Sequence, residues 1–190
     1  MTKVNKRFES ATLENYRTET PEQKNLVKAL QQGIEHGFKE NIIIIGGVGT
    51  GKTHLAYAVL NALAGRWKAG SGTEYYKSDK VIYATVKEII DNIKLSWKDP
   101  SLSFMDAWIG APLLIIDEIG VQYGSDSERT ELYELFNKRY NDMLPTIAIS
   151  NNSTTELQKI LGQRIYDRLS GGAYLFELTG RSQRQERGTV

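Results

Sequence analysis

Short apolar runs and longer amphipathic stretches alternate along almost the whole chain. "NIIIIG" (41–46), "VIYA" (81–84), "LLIID" (113–117) and "TIAIS" (146–150) are brief, unbroken and rich in β-branched residues, the pattern of strands covered on both faces. "AYLFEL" (173–178) is a fifth. The segments between carry apolar residues at helical spacing. In "PEQKNLVKALQQGIEHGF" Leu26, Val27, Leu30 and Ile34 share a stripe and Pro21 suits a first turn. "KTHLAYAVLNALAG" predicts a helix ending at Gly65, where a left-handed residue costs little. Thr85, followed three residues on by Glu88, predicts a capping box for "VKEIIDNIKLSW". "SERTELYELFNKRYND" puts Leu132, Leu135, Phe136 and Tyr140 on one stripe. Ser153 or Thr154 caps the helix after the fourth strand.

Strands alternating with helices in this way predict a doubly wound α/β fold around a mostly parallel five-stranded sheet. A chain of 190 residues fits one domain. Residues 1–40 read as an N-terminal segment and helix leading into the core, 41–180 as the core, and 181–190 as a basic tail. "AGSGTEYY" (69–76) reads as a surface loop, and there is no repeat or low-complexity tract.

Composition adds exclusions. The net charge is +1, so any grip on nucleic acid comes from a local patch rather than the whole-molecule field. With no cysteine, disulfides, thiolate metal sites and thiol nucleophiles are ruled out. The charged start "MTKVNKRFESATLENY" lacks an apolar signal core, and no run approaches the roughly 18 apolar residues of a membrane span. A cytoplasmic location, with no membrane contact, is the expectation.

The chemistry concentrates after the first strand. Gly46-Gly47-Val48-Gly49-Thr50-Gly51-Lys52-Thr53 fits G-x-x-x-x-G-K-[ST] without a mismatch. Its glycines let backbone N–H groups face phosphates, Lys52 reaches the β/γ oxygens, and Thr53 offers a hydroxyl to Mg²⁺. The loop follows a buried strand and opens a helix, the context this motif requires. His54, one position on, reads as a packing or signature residue beside the cofactor rather than a base. Asp117 and Glu118 end the third strand, where an aspartate can hold Mg²⁺ and a glutamate can polarise the attacking water. No N-K-x-D element accompanies them, which argues against a GTPase. Asn151 tips the fourth strand, where a polar side chain can touch the γ-phosphate or order the water; turns and caps also favour Asn. Arg164 and Arg168 lie four apart on one helical face, either as solvated surface or as groups aimed at a second molecule's phosphate.

Two further stretches point to nucleic acid. Lys94, Trp97 and Lys98 bring two cations around an aromatic at helical spacing, a combination that binds single strands through phosphate contacts and stacking. The alternative is a Trp97 that caps the core beside surface lysines. Tyr123, in "GVQYGSD", follows Glu118 on a glycine-flanked stretch able to link DNA to the glutamate.

"GGVGTGKTHLA", "LLIIDEIGV", "SNN", "GQRIYDRL" and "GRSQRQ", in this order and spacing, resemble the AAA+ ATPases of the DnaC/DnaI helicase-loader and IstB transposition-helper group. "RFESATLENY" looks like the segment that precedes their ATPase core, so the resemblance covers essentially the whole chain. It implies a P-loop AAA+ (RecA-like) fold, ATP and Mg²⁺ as cofactors, single-stranded DNA and a replicative helicase as partners, and self-assembly through arginines acting in trans. Lys52 and Thr53 would then serve phosphate and Mg²⁺, Asp117 the metal, Glu118 the water, and Asn151 the first sensor. Arg168 would be the trans-acting finger, with Arg164 beside it. Arg184 would be the second sensor, with Arg181 as rival, because this chain has Ser-Gln-Arg where the group commonly has Ser-Tyr-Arg. Loaders of the group also tend to carry a separate helicase-gripping module, for which residues 1–40 leave little room. A transposition helper acting on duplex DNA is the alternative function. A P-loop metabolite kinase, with "KDPSLSFMDAW" (98–108) as its lid, is a more distant one.

Overall fold

The computed structural model describes residues 2–68, 73–120 and 125–180. The predicted strands form one sheet, in the order β4 (Val81–Thr85), β5 (Leu113–Ile119), β6 (Thr146–Ser150), β1 (Ile42–Gly46) and β7 (Tyr174–Leu178). Every neighbouring pair in it is parallel. The four isoleucines of β1 show why the sheet needs an unbroken apolar run. Successive side chains point to opposite faces. Ile42 and Ile44 enter the cluster shared with α1 (Pro21–His36) and α2 (Lys52–Leu63). Ile43 and Ile45 enter the cluster formed with α3 (Val86–Ser96), α4 (Met105–Gly110), α5 (Asp126–Asn141), α6 (Thr154–Leu161) and α7 (Gln163–Ser170). All four are at most 3% exposed, each worth about 1.5–3 kcal/mol of burial.

Capping sets the helix starts. Thr20 with Gln23, Thr85 with Glu88, Ser125 with Glu128 and Ser153 with Glu156 each form a capping box, so Ser153, and not Thr154, is the cap before α6. Three expectations fail. α2 stops at Leu63 and Gly65 starts an extended strand, β2 (Gly65–Lys68). The stretch read as a surface loop contributes β3 (Glu74–Lys77), antiparallel to β2, because its Tyr75 and Tyr76 have partners across the hairpin. Tyr140 is 49% exposed rather than part of the α5 stripe, and the position before it is buried instead.

That residue, Arg139, is 1% exposed. Its guanidinium donates to the carbonyls of Trp108 (2.8 Å), Ile109 (3.0 Å), Ala111 (2.8 Å) and Pro145 (2.6 Å), and its Nε to Thr146 Oγ1 (3.0 Å). One cation thus satisfies the end of α4 and the entry to β6, where backbone acceptors would otherwise be stranded. Burial pulls its pKa down to about 10.

The N-terminal segment is part of the fold. Val4 N donates to Glu74 O and Tyr76 N to Thr2 O, both at 2.9 Å, which adds an edge to the β2–β3 hairpin. Further on, Phe8 stacks on Tyr57 with centroids 5.0 Å apart. Ala11, Leu13 and Tyr16 are buried. Among the described residues no helix is long and apolar enough to cross a membrane.

Candidate nucleotide site

Parallel register assembles the site at the carboxyl ends of β1, β5 and β6, where open α/β sheets bind ligands. Ile45 pairs with Ser150, which sets Asn151 beside Gly46. On the other side Thr85 pairs with Asp117. Lys52, Thr53, His54, Asp117, Glu118 and Asn151 line one cleft of about 210 Å³, together with Val48, Gly49 and Gly51 of the loop. Gly46 admits no side chain, since a Cβ would lie 2.2 Å from Leu178 O. Lys52 is 5% exposed and its Nζ donates to the carbonyls of Gly46 and Gly47, each at 2.7 Å. Thr50 Oγ1 donates to Gly47 O at 3.0 Å, closing the loop on itself.

Asp117 is buried at 3% exposure, and both of its oxygens are occupied by hydrogen bonds. Glu118 N donates to Oδ1 at 2.7 Å and Tyr83 Oη to Oδ2 at 3.1 Å. Burial, reinforced by the Asp117 charge, pushes the Tyr83 phenol far up. A register break between Ile116 and Ile119 releases Glu118 from the ladder, and its backbone turns left-handed at φ 60°. That conformation costs a glutamate on the order of 1–3 kcal/mol and is found at functional sites. The side chain is exposed to the cleft. Gly120, at φ +114°, makes the turn that follows; a Cβ there would meet Asn152 Oδ1 at 2.4 Å.

The segment before α1 supplies residues that the motifs did not indicate. Arg7 and Phe8 border the same cleft. Tyr16 Oη donates to Thr50 O at 2.9 Å, and His54 Nε2 lies 3.0 Å from Thr12 O. Burial, with Glu19 nearby, pushes the Tyr16 phenol up to about 12. The second histidine, His36, lies elsewhere, and no group of three or more potential metal-ligating His, Asp or Glu side chains occurs among the described residues. A single buried carboxylate and the Thr53 hydroxyl, at one cleft, instead suit a Mg²⁺ shared with phosphates.

The other predicted residues lie apart from this cleft. Lys94 pairs with the buried Glu128 at 3.0 Å, tying the last turn of α3 to the first turn of α5. Trp97 is 50% exposed and therefore does not cap the core; Lys98 is exposed beside it. Arg164 is exposed on α7. Arg168 donates from Nε to Asn137 Oδ1 at 3.1 Å. Its backbone carbonyl, with that of Leu169, accepts from Asn41 Nδ2 at 3.4 and 2.9 Å. Tyr123, Arg181 and Arg184 lie outside the described residues.

A phosphate-type loop opening a helix after an inner strand, an Asp-Glu pair ending the next strand but one, and a polar tip between them define a P-loop nucleotide-binding core. The chain belongs to the family of IstB-like ATP binding proteins, whose model matches residues 1–189. It is 32% identical over 174 residues to the replicative helicase loader DnaC of Escherichia coli K12, a match spanning 88% of this chain and 66% of that relative. The crystal structure of the DnaC helicase loader superposes with a TM-score of 0.75 at 20% identity, covering 92% of this chain and all of that one. The replication initiator DnaA bound to AMPPCP and single-stranded DNA superposes at 0.72 and 22% identity, covering 94% of this chain and 51% of that one. The fold is that of these AAA+ cores.

Proposed function

We propose that this chain is a Mg²⁺-dependent ATPase that assembles on single-stranded DNA and helps deposit a replicative helicase there. One relationship carries the assembly part: Arg168 is anchored at the opposite end of β1 from the phosphate loop. Asn41, which holds the Arg168 and Leu169 carbonyls, precedes Gly46 by five residues, or about 16 Å of strand. An arginine side chain reaching back over that span cannot meet its own Lys52 pocket. It can meet the pocket of a second copy, where a guanidinium on the γ-phosphate is worth roughly 10³–10⁵ in rate.

Within one copy the roles follow from position. The loop amides and Lys52 bind the phosphates, Asn151 orients at the γ end, and Glu118 takes a proton from the attacking water. Thr53 and Asp117 would hold a Mg²⁺, which when bound neutralises charge on the β- and γ-phosphates. Lys94, Trp97 and Lys98 supply the strand contact, phosphates on the lysines and a base on the exposed indole. The Lys94–Glu128 pair connects that contact to α5, the helix following Glu118 in the chain. Relatives named as helicase loaders support the choice of DNA replication and of a helicase partner.

The test uses the Glu118→Gln variant, expected to hold ATP without turning it over. Co-elution of this protein with the host's replicative helicase, with ATP and without, is the expected result; no co-elution in either state overturns the loader reading. Affinity for single-stranded DNA should exceed that for duplex and should be greater with ATP than with ADP. Preference for duplex instead favours the transposition helper.

A further inference from the structure

We infer that Tyr83, backed by Tyr57, is a positioning residue for the metal-holding carboxylate of Asp117, an assignment that rests on the ATPase reading above. Parallel register explains the contact. Thr85 stands opposite Asp117 and Tyr83 opposite Ile115, so Tyr83 lies diagonal to Asp117 on the same face of the sheet, within reach of a long side chain. Its hydroxyl meets Oδ2 at 3.1 Å while the Glu118 amide holds Oδ1 at 2.7 Å, and the carboxylate is fixed from both sides.

Tyr83 is itself held. Its ring packs on that of Tyr57 with centroids 4.8 Å apart. Tyr57 in turn stacks on Phe8. A line of aromatic contacts therefore runs from Phe8 of the N-terminal segment, through Tyr57 of α2, to Tyr83 of β4, whose hydroxyl ends it on Asp117. A phenol buried at 6% exposure beside a buried carboxylate adds nothing to the core that a phenylalanine would not. What its hydroxyl adds is a fixed donor on Asp117. Partners that hydrogen-bond a metal-holding group orient it, and their removal costs about 10–100-fold in metal affinity.

The experiment titrates Mg²⁺ against binding of a fluorescent ATP analogue to the full chain, with binding in excess chelator as the metal-free reference. Tyr83→Phe should raise the Mg²⁺ half-saturation about tenfold, the low end because the phosphates share the ion, and leave metal-free affinity and melting temperature near the parent's. An unchanged half-saturation in Tyr83→Phe overturns the assignment. Asp117→Asn separates the two readings. If it abolishes the Mg²⁺ dependence while Tyr83→Phe does not alter it, the tyrosine assignment alone fails. If Asp117→Asn leaves the dependence intact, the ATPase assignment of Asp117 fails first.

Discussion

The guanidinium of Arg168 lies over the ring of Tyr140, 5.1 Å from its centroid. Together with the Asn137 hydrogen bond, this contact aims the side chain along the surface of α5 rather than into the protein. The exposed tyrosine that departs from the apolar stripe thus has a role as a platform. Arg168→Ala should bind ATP as the parent does and lose at least a hundredfold in turnover. Tyr140→Leu, which removes only the platform, should cost about threefold, since a cation–π contact at an exposed site is worth about 0.5–1 kcal/mol. Steady-state hydrolysis at saturating ATP separates the two; parental turnover in Arg168→Ala would sink the trans assignment.

Arg139 should prove a stability residue with no part in catalysis. Arg139→Leu leaves the buried carbonyls of Trp108, Ala111 and Pro145 without this donor, each lost partner costing about 1–3 kcal/mol. The expected outcome is a loss of at least roughly 3 kcal/mol and a melting temperature lower by about 6–12 °C for a domain of this size. A melting curve matching the parent's would overturn this account.

Alkaline pH should loosen the phosphate loop. The folded pKa of Tyr16 is raised to about 12 from an ordinary value of 10, so the unfolded phenol gives up its proton first. Its contribution is complete below pH 10 and is lost as the pH rises through 12. Chemical denaturation across that window should show stability falling more steeply in the parent than in Tyr16→Phe. Equal slopes would mean that burial does not hold the Tyr16 phenol in its protonated form.

Much of the fold was readable before any coordinates, because burial on both faces forces a run such as Ile42–Ile45 to be apolar throughout. The loop and the Asp-Glu pair were readable because backbone chemistry ties their residue types to fixed spacing. Asn151 was placed by a general rule for sheets of this kind. Tyr83 was not found, since a tyrosine in a strand is ordinary until the register with β5 is known. Tyr16 reaches the loop, and Phe8 the helix that follows it, from more than thirty positions away, a distance no local pattern encodes. Arg139 was hidden by its setting, a charged residue near the end of a helix that otherwise reads as solvent-facing there. The β2–β3 hairpin was missed for a related reason, as Gly and Ser beside Thr73 signal a turn and mask the strand that begins at Glu74.

Asn41 has a mechanical consequence. One amide grips the backbone of Arg168 and Leu169 with its nitrogen and accepts from Thr146 N at 2.8 Å with its oxygen, splicing α7 and β6 onto the foot of β1. In the proposed assembly, a tug on the guanidinium from an adjoining copy would be delivered to the strand whose other tip carries the phosphate-type loop. Strand β1 would act as a short push-rod, and occupancy in one subunit would be felt, through a single side chain, by the next.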